Sequence, residues 1–239
     1  MGLGYIAGCL KQHNVSVDLV DCTFLSEGEA LEKIRRSDPD IIGVYSMFSM
    51  KNKALQMARL LRENCEVLIA GGPLPSLNPK DFLQDFDVIV IGEGEDTMLD
   101  LVHSLKNDTD LSRVRGIAYR EKGKGDIRFT SPRGFIQNLD SIPLPARELF
   151  DNQAYKDYYS KKFGYTITSM ITSRGCPFNC DFCSQPIFGN KFRTSSAANI
   201  VGEIETVLAL GYERVWFADD CFTLNRKRLT DICNEIIRR

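Results

Sequence analysis

The 239-residue chain has no excess of either charge. Thirty Lys and Arg stand against 32 Asp and Glu, leaving a formal net charge of −2. That balance removes the electrostatic argument for non-specific nucleic-acid binding, so no nucleic-acid partner is expected. No apolar run approaches the roughly 20 residues needed to span a bilayer, and no membrane partner is expected either. Met1-Gly2-Leu3-Gly4-Tyr5 lacks the charged and apolar regions of a signal peptide, which points to the cytoplasm. With 43% hydrophobic and 26% charged residues the chain also lacks the bias of a disordered or collagen-like sequence. At roughly 150 residues per domain, it can hold one large domain or two small ones.

Phosphate-binding signatures are missing too. No Gly-Lys-Ser/Thr follows any glycine turn, and no G-x-G-x-x-G occurs. What is present over the first hundred residues is alternation. Leu3, Ile6, Ala7 and Leu10 recur at helical spacing, with a stop at Asn14. Val17–Val20 reads as a short strand. Ser26 and Glu29 form a capping-box pattern ahead of a helix carrying Ala30, Leu31 and Ile34. Strand runs at 40–45, 67–70 and 87–91 are separated by a helix bearing Ala54, Ala58 and Leu61 and by a short one near 79–83. A last helix runs from Glu95 to Leu105. Nearly uniform apolar strands separated by helices predict a parallel, flavodoxin-like sheet covered on both faces. Ligands bind beyond the carboxyl ends of such strands. Here those ends carry Ser46, Gly71-Gly72 and Gly92-Glu93-Gly94, small residues that would let a bulky ligand approach the backbone or that simply make turns. Such a sheet has its first strand near the centre, yet this chain opens on a helix; that strand and its loop are expected upstream of Met1.

Residues 1–106 therefore read as one Rossmann-like domain and 107–165 as a hairpin and irregular linker. In that stretch, runs at 114–120 and 127–130 flank a Gly/Lys turn, and Pro132, Pro143 and Pro145 punctuate the irregular part after the hairpin. The aromatic tract Tyr155, Tyr158, Tyr159, Phe163 and Tyr165 suits packing between domains, or a substrate surface. From 166 to 239 a strand at 166–172, a helix holding Ile200, Val201, Ile204, Val207 and Leu208, a strand at 214–218 and a helix with Leu229, Ile232, Cys233 and Ile236 make two βα units.

Eight cysteines are unevenly spread. Cys9, Cys22, Cys65, Cys221 and Cys233 are scattered, mostly in apolar segments, and read as buried thiols. Cys176, Cys180 and Cys183 fall together as C-x-x-x-C-x-x-C, directly after a strand. Three thiolates on one loop can hold three irons of a cubane cluster and leave the fourth iron open. Zinc sites usually use two ligand pairs; no second C-x-x-C exists, although Cys221 could complete such a site.

On these residues the sequence resembles the radical S-adenosylmethionine enzymes that carry an N-terminal cobalamin-binding domain. The stretch Thr172-Ser173-Arg174-Gly175-Cys176-Pro177-Phe178-Asn179-Cys180-Asp181-Phe182-Cys183 is the most specific part. Phe192-Arg193-Thr194 with Glu203, the 215–223 segment, the glycine turns and Ile142-Pro143-Leu144-Pro145-Ala146-Arg147 resemble that group as well. The resemblance implies that Cys176, Cys180 and Cys183 ligate a four-iron four-sulfur (4Fe-4S) cluster. S-adenosylmethionine would chelate the open iron, with Phe182 near its adenine. Where the family commonly has Gly-Gly-Glu, this chain has Ala218-Asp219-Asp220, so Asp219 or Asp220 becomes the candidate for the methionine ammonium; an acid capping the next helix is the plainer account.

Ser46, Gly71 and Gly72 match cobalamin-contacting positions in order, with Gly92 and Gly94 at the third strand end, although the D-x-H-x-x-G tract is absent. The family barrel has about six βα units, so its remainder is expected after Arg239. The implied activity is reductive cleavage of S-adenosylmethionine to a 5′-deoxyadenosyl radical, then methylation of an unactivated carbon with methylcobalamin. It would be driven by a flavodoxin- or ferredoxin-type electron donor and act on a small-molecule or peptide substrate. No side chain is assigned as a catalytic acid, base or nucleophile, because the cofactors carry the chemistry. Cyclisation or rearrangement without methyl transfer, a methylthio-transferase, and a non-catalytic cobalamin or iron–sulfur sensor are the other readings. Dispersed Cys9, Cys22 and Cys65 do not supply the extra cluster that a methylthio-transferase carries.

Overall fold

Local sequence chemistry accounts for most of the elements in the computed structural model, which describes residues 1–121, 125–181, 183 and 188–239. Helix α1 spans Gly2–Gln12 and stops where Asn14 takes a left-handed conformation. Helix α2 (Glu27–Ser37) starts with the capping box: the Ser26 hydroxyl accepts from the Glu29 N–H, and the Ser26 N–H donates to the Glu29 carboxylate at 2.8 Å. That pairing holds the Glu29 carboxyl below its ordinary range. Strands β1 (Ile41–Tyr45), β2 (Val67–Gly71) and β3 (Val88–Val90) are parallel neighbours. Helices α3 (Lys51–Leu61), α4 (Pro73–Leu77), α5 (Pro79–Phe82) and α6 (Glu95–Lys106) connect or follow them. Ala54, Ala58 and Leu61 face the core with Ile42, Leu68, Ala70, Phe82 and Ile89. Their sheet neighbours Ile69, Val88 and Val90 are just as buried, so both faces are covered.

Three expectations are corrected by the fold. Val17–Val20 forms no strand: the segment is without a ladder, although Leu19 is buried. An extended run becomes a strand only by pairing, and β1 pairs with β2 alone among the described residues. Second, the hairpin of β4 (Ile117–Arg120) and β5 (Ile127–Phe129), expected as a hairpin outside the 1–106 domain, belongs to that domain's sheet. It extends the sheet antiparallel to β3, in the order β1-β2-β3-β4-β5, because Ile117 and Ala118 are apolar enough to be buried beside Val90 and Ile89. Third, the stretch read as irregular contains helix α7 (Asn152–Phe163). Asp151 caps it by accepting from the Ala154 N–H, and Gly164 closes it at φ 77°.

The chain divides into two units. One comprises Cys9–Phe135 with Gly2; the other comprises Ile136–Arg239 with Met1 and Leu3–Gly8. In the second, β6 (Ile167–Met170) pairs in parallel with β9 (Arg214–Phe217), and β7 (Ser173–Arg174) pairs antiparallel with β8 (Arg193–Thr194). Helices α8 (Ala197–Ala209) and α9 (Arg226–Arg238) follow β8 and β9. Met170, Ile200, Val207, Tyr212 and Ile232 form this unit's core, with Tyr155 of α7 against it. The rest of the aromatic tract stacks on that unit's surface: Tyr159 on Phe163 at 5.8 Å and Phe163 on Tyr165 at 6.0 Å, ring centroid to centroid. The Arg214 guanidinium lies 3.7 Å from the Tyr165 ring centroid. Among the described residues, no helix is long and apolar enough to cross a membrane.

Candidate iron–sulfur loop and cobalamin edge

The cysteine loop leaves the sheet at the carboxyl end of β6, and its base is tightly built. The β7–β8 pairing closes it, and the Cys176 N–H donates back to the Gly189 carbonyl at 3.3 Å. Gly175 sits at φ 86°, where a Cβ would come 2.3 Å from the Lys191 carbonyl oxygen, so only glycine fits. Arg174 is buried between the rings of Tyr5 and Phe188, at 5.6 and 5.1 Å from their centroids. Cys176 stands half-buried at this base, while Cys180 and Cys183 are exposed on a turn in which the Cys183 N–H donates to the Cys180 carbonyl. Among the described residues the thiols are not gathered around one point: no three Cys, His, Asp or Glu side chains are close enough to hold an ion. The donor set still fits an iron–sulfur cluster, because three free thiols share one short loop and two face solvent. Phe182 lies outside the described residues.

Strand β9 ends beside this loop. The Ala218 N–H donates to the Met170 carbonyl at 2.7 Å, so residues 218–221 run past residues 170–176. Asp219 is absorbed by that junction. Its carboxylate accepts from the Thr172 N–H and hydroxyl, each at 3.0 Å, and from the Ser173 hydroxyl. Arg228 reaches in from α9, donating to the Thr172 carbonyl at 3.0 Å and the Phe222 carbonyl at 3.1 Å. Burial lowers its guanidinium pKa, and the Asp219 charge opposes that shift. Asp220 is exposed at the same strand end. Neither aspartate caps α9; Asn225 does, by accepting from the Arg228 N–H at 3.0 Å.

Two pairings near this site join residues far apart in sequence, the second of them one that a zinc role for Cys221 leaves open. Arg147 and Glu203, which stand in separate motifs, form a buried ion pair. Arg147 also donates to the Ser169 carbonyl at 2.9 Å, and the Tyr5 hydroxyl donates to Glu203 at 3.2 Å. Burial, then the Glu203 charge, drives the Tyr5 phenol well above its ordinary pKa. A charged residue in an apolar motif signals such a pair, but its partner 56 positions away is invisible without the fold. The second is that of Cys221, whose Sγ lies 3.6 Å from Cys176 Sγ. Of the five scattered cysteines only Cys9 is buried; Cys22 and Cys233 are exposed, and Cys65 and Cys221 are half-buried. Cys233 lies on the exposed side of α9, and Cys22, Cys65 and Cys221 lie on connections, so apolar neighbours in sequence did not imply burial.

In the other unit, the structure brings Ser46, Gly71 and Gly72 together at the carboxyl ends of β1 and β2. The Ser46 N–H donates to the Gly71 carbonyl at 2.9 Å. Gly72 is explained by the fold: at φ 103°, a Cβ would lie 2.8 Å from both the Ser46 carbonyl and the Tyr45 ring. Ser46 is fully buried, and its hydroxyl donates to the Met47 carbonyl. Gly92, after β3, has φ 83° and open space where a Cβ would stand, and its N–H donates to the Ser76 hydroxyl at 3.1 Å. Gly94 precedes α6. Met47, Phe48 and Met50 are exposed just beyond β1, an apolar edge that fits a large planar ligand such as cobalamin.

Comparison with known proteins matches these two regions separately. Residues 1–102 match the B12 binding domain and residues 170–239 the Radical SAM superfamily. The chain belongs to the radical S-adenosylmethionine enzymes with a B12-binding domain. Among curated members, it is 34% identical to the uncharacterized methyltransferase PH0819 of Pyrococcus horikoshii, over 97% of this chain and 51% of that protein. It is 31% identical to the anaerobic magnesium-protoporphyrin IX monomethyl ester cyclase of Rubrivivax gelatinosus, over 99% of this chain and 44% of that one. The chain thus spans about half the length of the curated relatives it matches. Its fold is that of the cobalamin-dependent S-adenosylmethionine radical enzyme OxsB, solved with aqua-cobalamin and S-adenosylmethionine bound. The TM-score is 0.83 at 24% identity, covering 100% of this chain and 34% of that one.

Proposed function

We propose that this chain is the cofactor-binding part of a cobalamin-dependent radical S-adenosylmethionine methyltransferase acting on carbon. The observation that carries the reading is the meeting of the Cys176–Cys183 loop with the Asp219–Asp220 strand end at the carboxyl ends of β6 and β9. Cys176, Cys180 and Cys183 would hold the 4Fe-4S cluster, which fits a loop whose base is fixed while its turn is open. When bound, the cluster supplies one electron to S-adenosylmethionine, and cobalamin supplies a methyl group. Asp219 keeps the loop base in place and is committed to doing so, which leaves the exposed Asp220 to hold the methionine ammonium. Ser46, Gly71, Gly72, Gly92 and Gly94 shape the edge on which cobalamin would lie. The reductant is a one-electron donor of flavodoxin or ferredoxin type. Methyl transfer is favoured by the 34% identical methyltransferase relative. Cyclisation is the second reading, favoured by the cyclase relative at 31% identity.

The test is anaerobic reconstitution of the full-length protein with iron, sulfide and hydroxocobalamin, followed by reduction with S-adenosylmethionine present. About one cobalt and four irons per chain are expected. S-adenosylhomocysteine formed on reduction marks methylation of the bound cobalamin and supports methyl transfer. 5′-Deoxyadenosine without it counts against methyl transfer, and iron without cobalt overturns the cobalamin assignment.

A further inference from the structure

We propose that Cys176 and Cys221 form a reversible disulfide in the cluster-free protein, a modification that withdraws Cys176 from iron and so makes cluster assembly sensitive to oxidants. The two sulfurs stand 3.6 Å apart although 45 residues separate them in sequence. Each lies on a connection rather than in a helix or strand. Cys176 follows the Gly175 bend, and Cys221 begins the turn in which the Leu224 N–H donates to its carbonyl. Side-chain rotation on such segments can bring the sulfurs to the ~2.05 Å bond length. Both thiols are half-buried, which leaves each partly exposed to an oxidant in solution. In the proposed three-thiol set Cys221 is not an iron ligand, so its thiol is free to pair with Cys176. With glutathione disulfide as oxidant the step balances. A thiolate of the pair attacks it and expels one glutathione; the second thiolate then attacks the mixed disulfide and expels the other. Two cysteine thiols are oxidised, one glutathione disulfide is reduced to two glutathiones, and the two thiol protons end on them.

Only the consequence for iron rests on the proposed function; the pairing itself does not. The test takes the cofactor-free, full-length protein through a series of glutathione disulfide to glutathione ratios. Free thiols are then trapped by alkylation and cross-linked peptides mapped by mass spectrometry. A Cys176–Cys221 peptide is expected as the first cross-link to form. C221S and C221A should lack it while keeping the circular dichroism of the parent. Iron uptake by the oxidised parent should fall by about tenfold and recover after dithiothreitol. A first cross-link between Cys180 and Cys183, or none involving Cys221, overturns the proposal. So does a loss of iron from C221S and C221A without any oxidant, since Cys221 would then be a ligand. If the cross-link forms but the reduced parent takes up no iron, the cluster assignment fails and the disulfide stands.

Discussion

Asp219 and Asp220 are adjacent and chemically identical, yet Asp219 is bound into the loop base while Asp220 is exposed. Asp219 accepts from Thr172 and Ser173, and Asp219→Ala leaves buried donors unpaired beside Arg228. That substitution should cost about 2 kcal/mol in denaturant unfolding. Asp220→Asn should leave the unfolding midpoint unchanged and weaken S-adenosylmethionine binding several-fold by equilibrium dialysis. The reverse pattern would exchange their roles. Tyr5 gives a test in pH. Its phenol pKa is raised by burial and by Glu203. The folded state therefore keeps the proton that the unfolded chain releases above the ordinary phenol value of about 10. The contribution is present in full below that pH and declines as pH rises beyond it. The difference in unfolding midpoint between parent and Tyr5→Phe should be flat from neutral pH to about 10, then shrink at higher pH.

Among the elements, the Arg147–Glu203 pair joins the segment before α7 to α8 and, through the Ser169 carbonyl, to β6. Both side chains are almost fully buried. Removing one partner strands the other charge, so Glu203→Ala should destabilise the unit by about 3–5 kcal/mol. Glu203→Gln keeps the shape and an acceptor for Arg147 and should cost less. Limited proteolysis around 139–150, read beside chemical unfolding, would check this; equal effects of the two variants would contradict it. Helix boundaries at this scale were largely legible. The Ser26 and Glu29 cap and the Ala54, Ala58, Leu61 stripe appear as expected because they depend on contacts within one or two helical turns. Helix α7 was not, since its polar and aromatic residues carry little apolar periodicity; only Asp151 and Gly164 signalled its ends.

For the whole molecule, the two units have separate cores, one around Leu68 and Phe82 and one around Met170 and Ile232. Their cofactors should therefore load independently. Replacing Cys176, Cys180 and Cys183 together by Ala should abolish iron uptake and leave hydroxocobalamin binding within about twofold of the parent. Gly92→Val, which strains a backbone held at φ 83° and puts a branched side chain into the space beyond β3, should lower cobalt content and spare iron. Joint loss of both cofactors in either variant would show that the units are coupled.

The sequence by itself determined the two cofactor regions, the parallel core strands, the Ser26-capped helix and the C-x-x-x-C-x-x-C spacing of Cys176, Cys180 and Cys183. Those features rest on residue type and short spacing, which the chain carries whatever its final packing. Tertiary structure alone decided the rest. It joined the hairpin to the first domain's sheet, withheld a ladder from Val17–Val20, spent Asp219 on the loop base, and set Cys221 against Cys176. Each of these depends on which residues meet from distant parts of the chain, or on whether an edge finds a partner. Pairing of that kind is a property of the packed chain and leaves no periodic trace in the order of its residues.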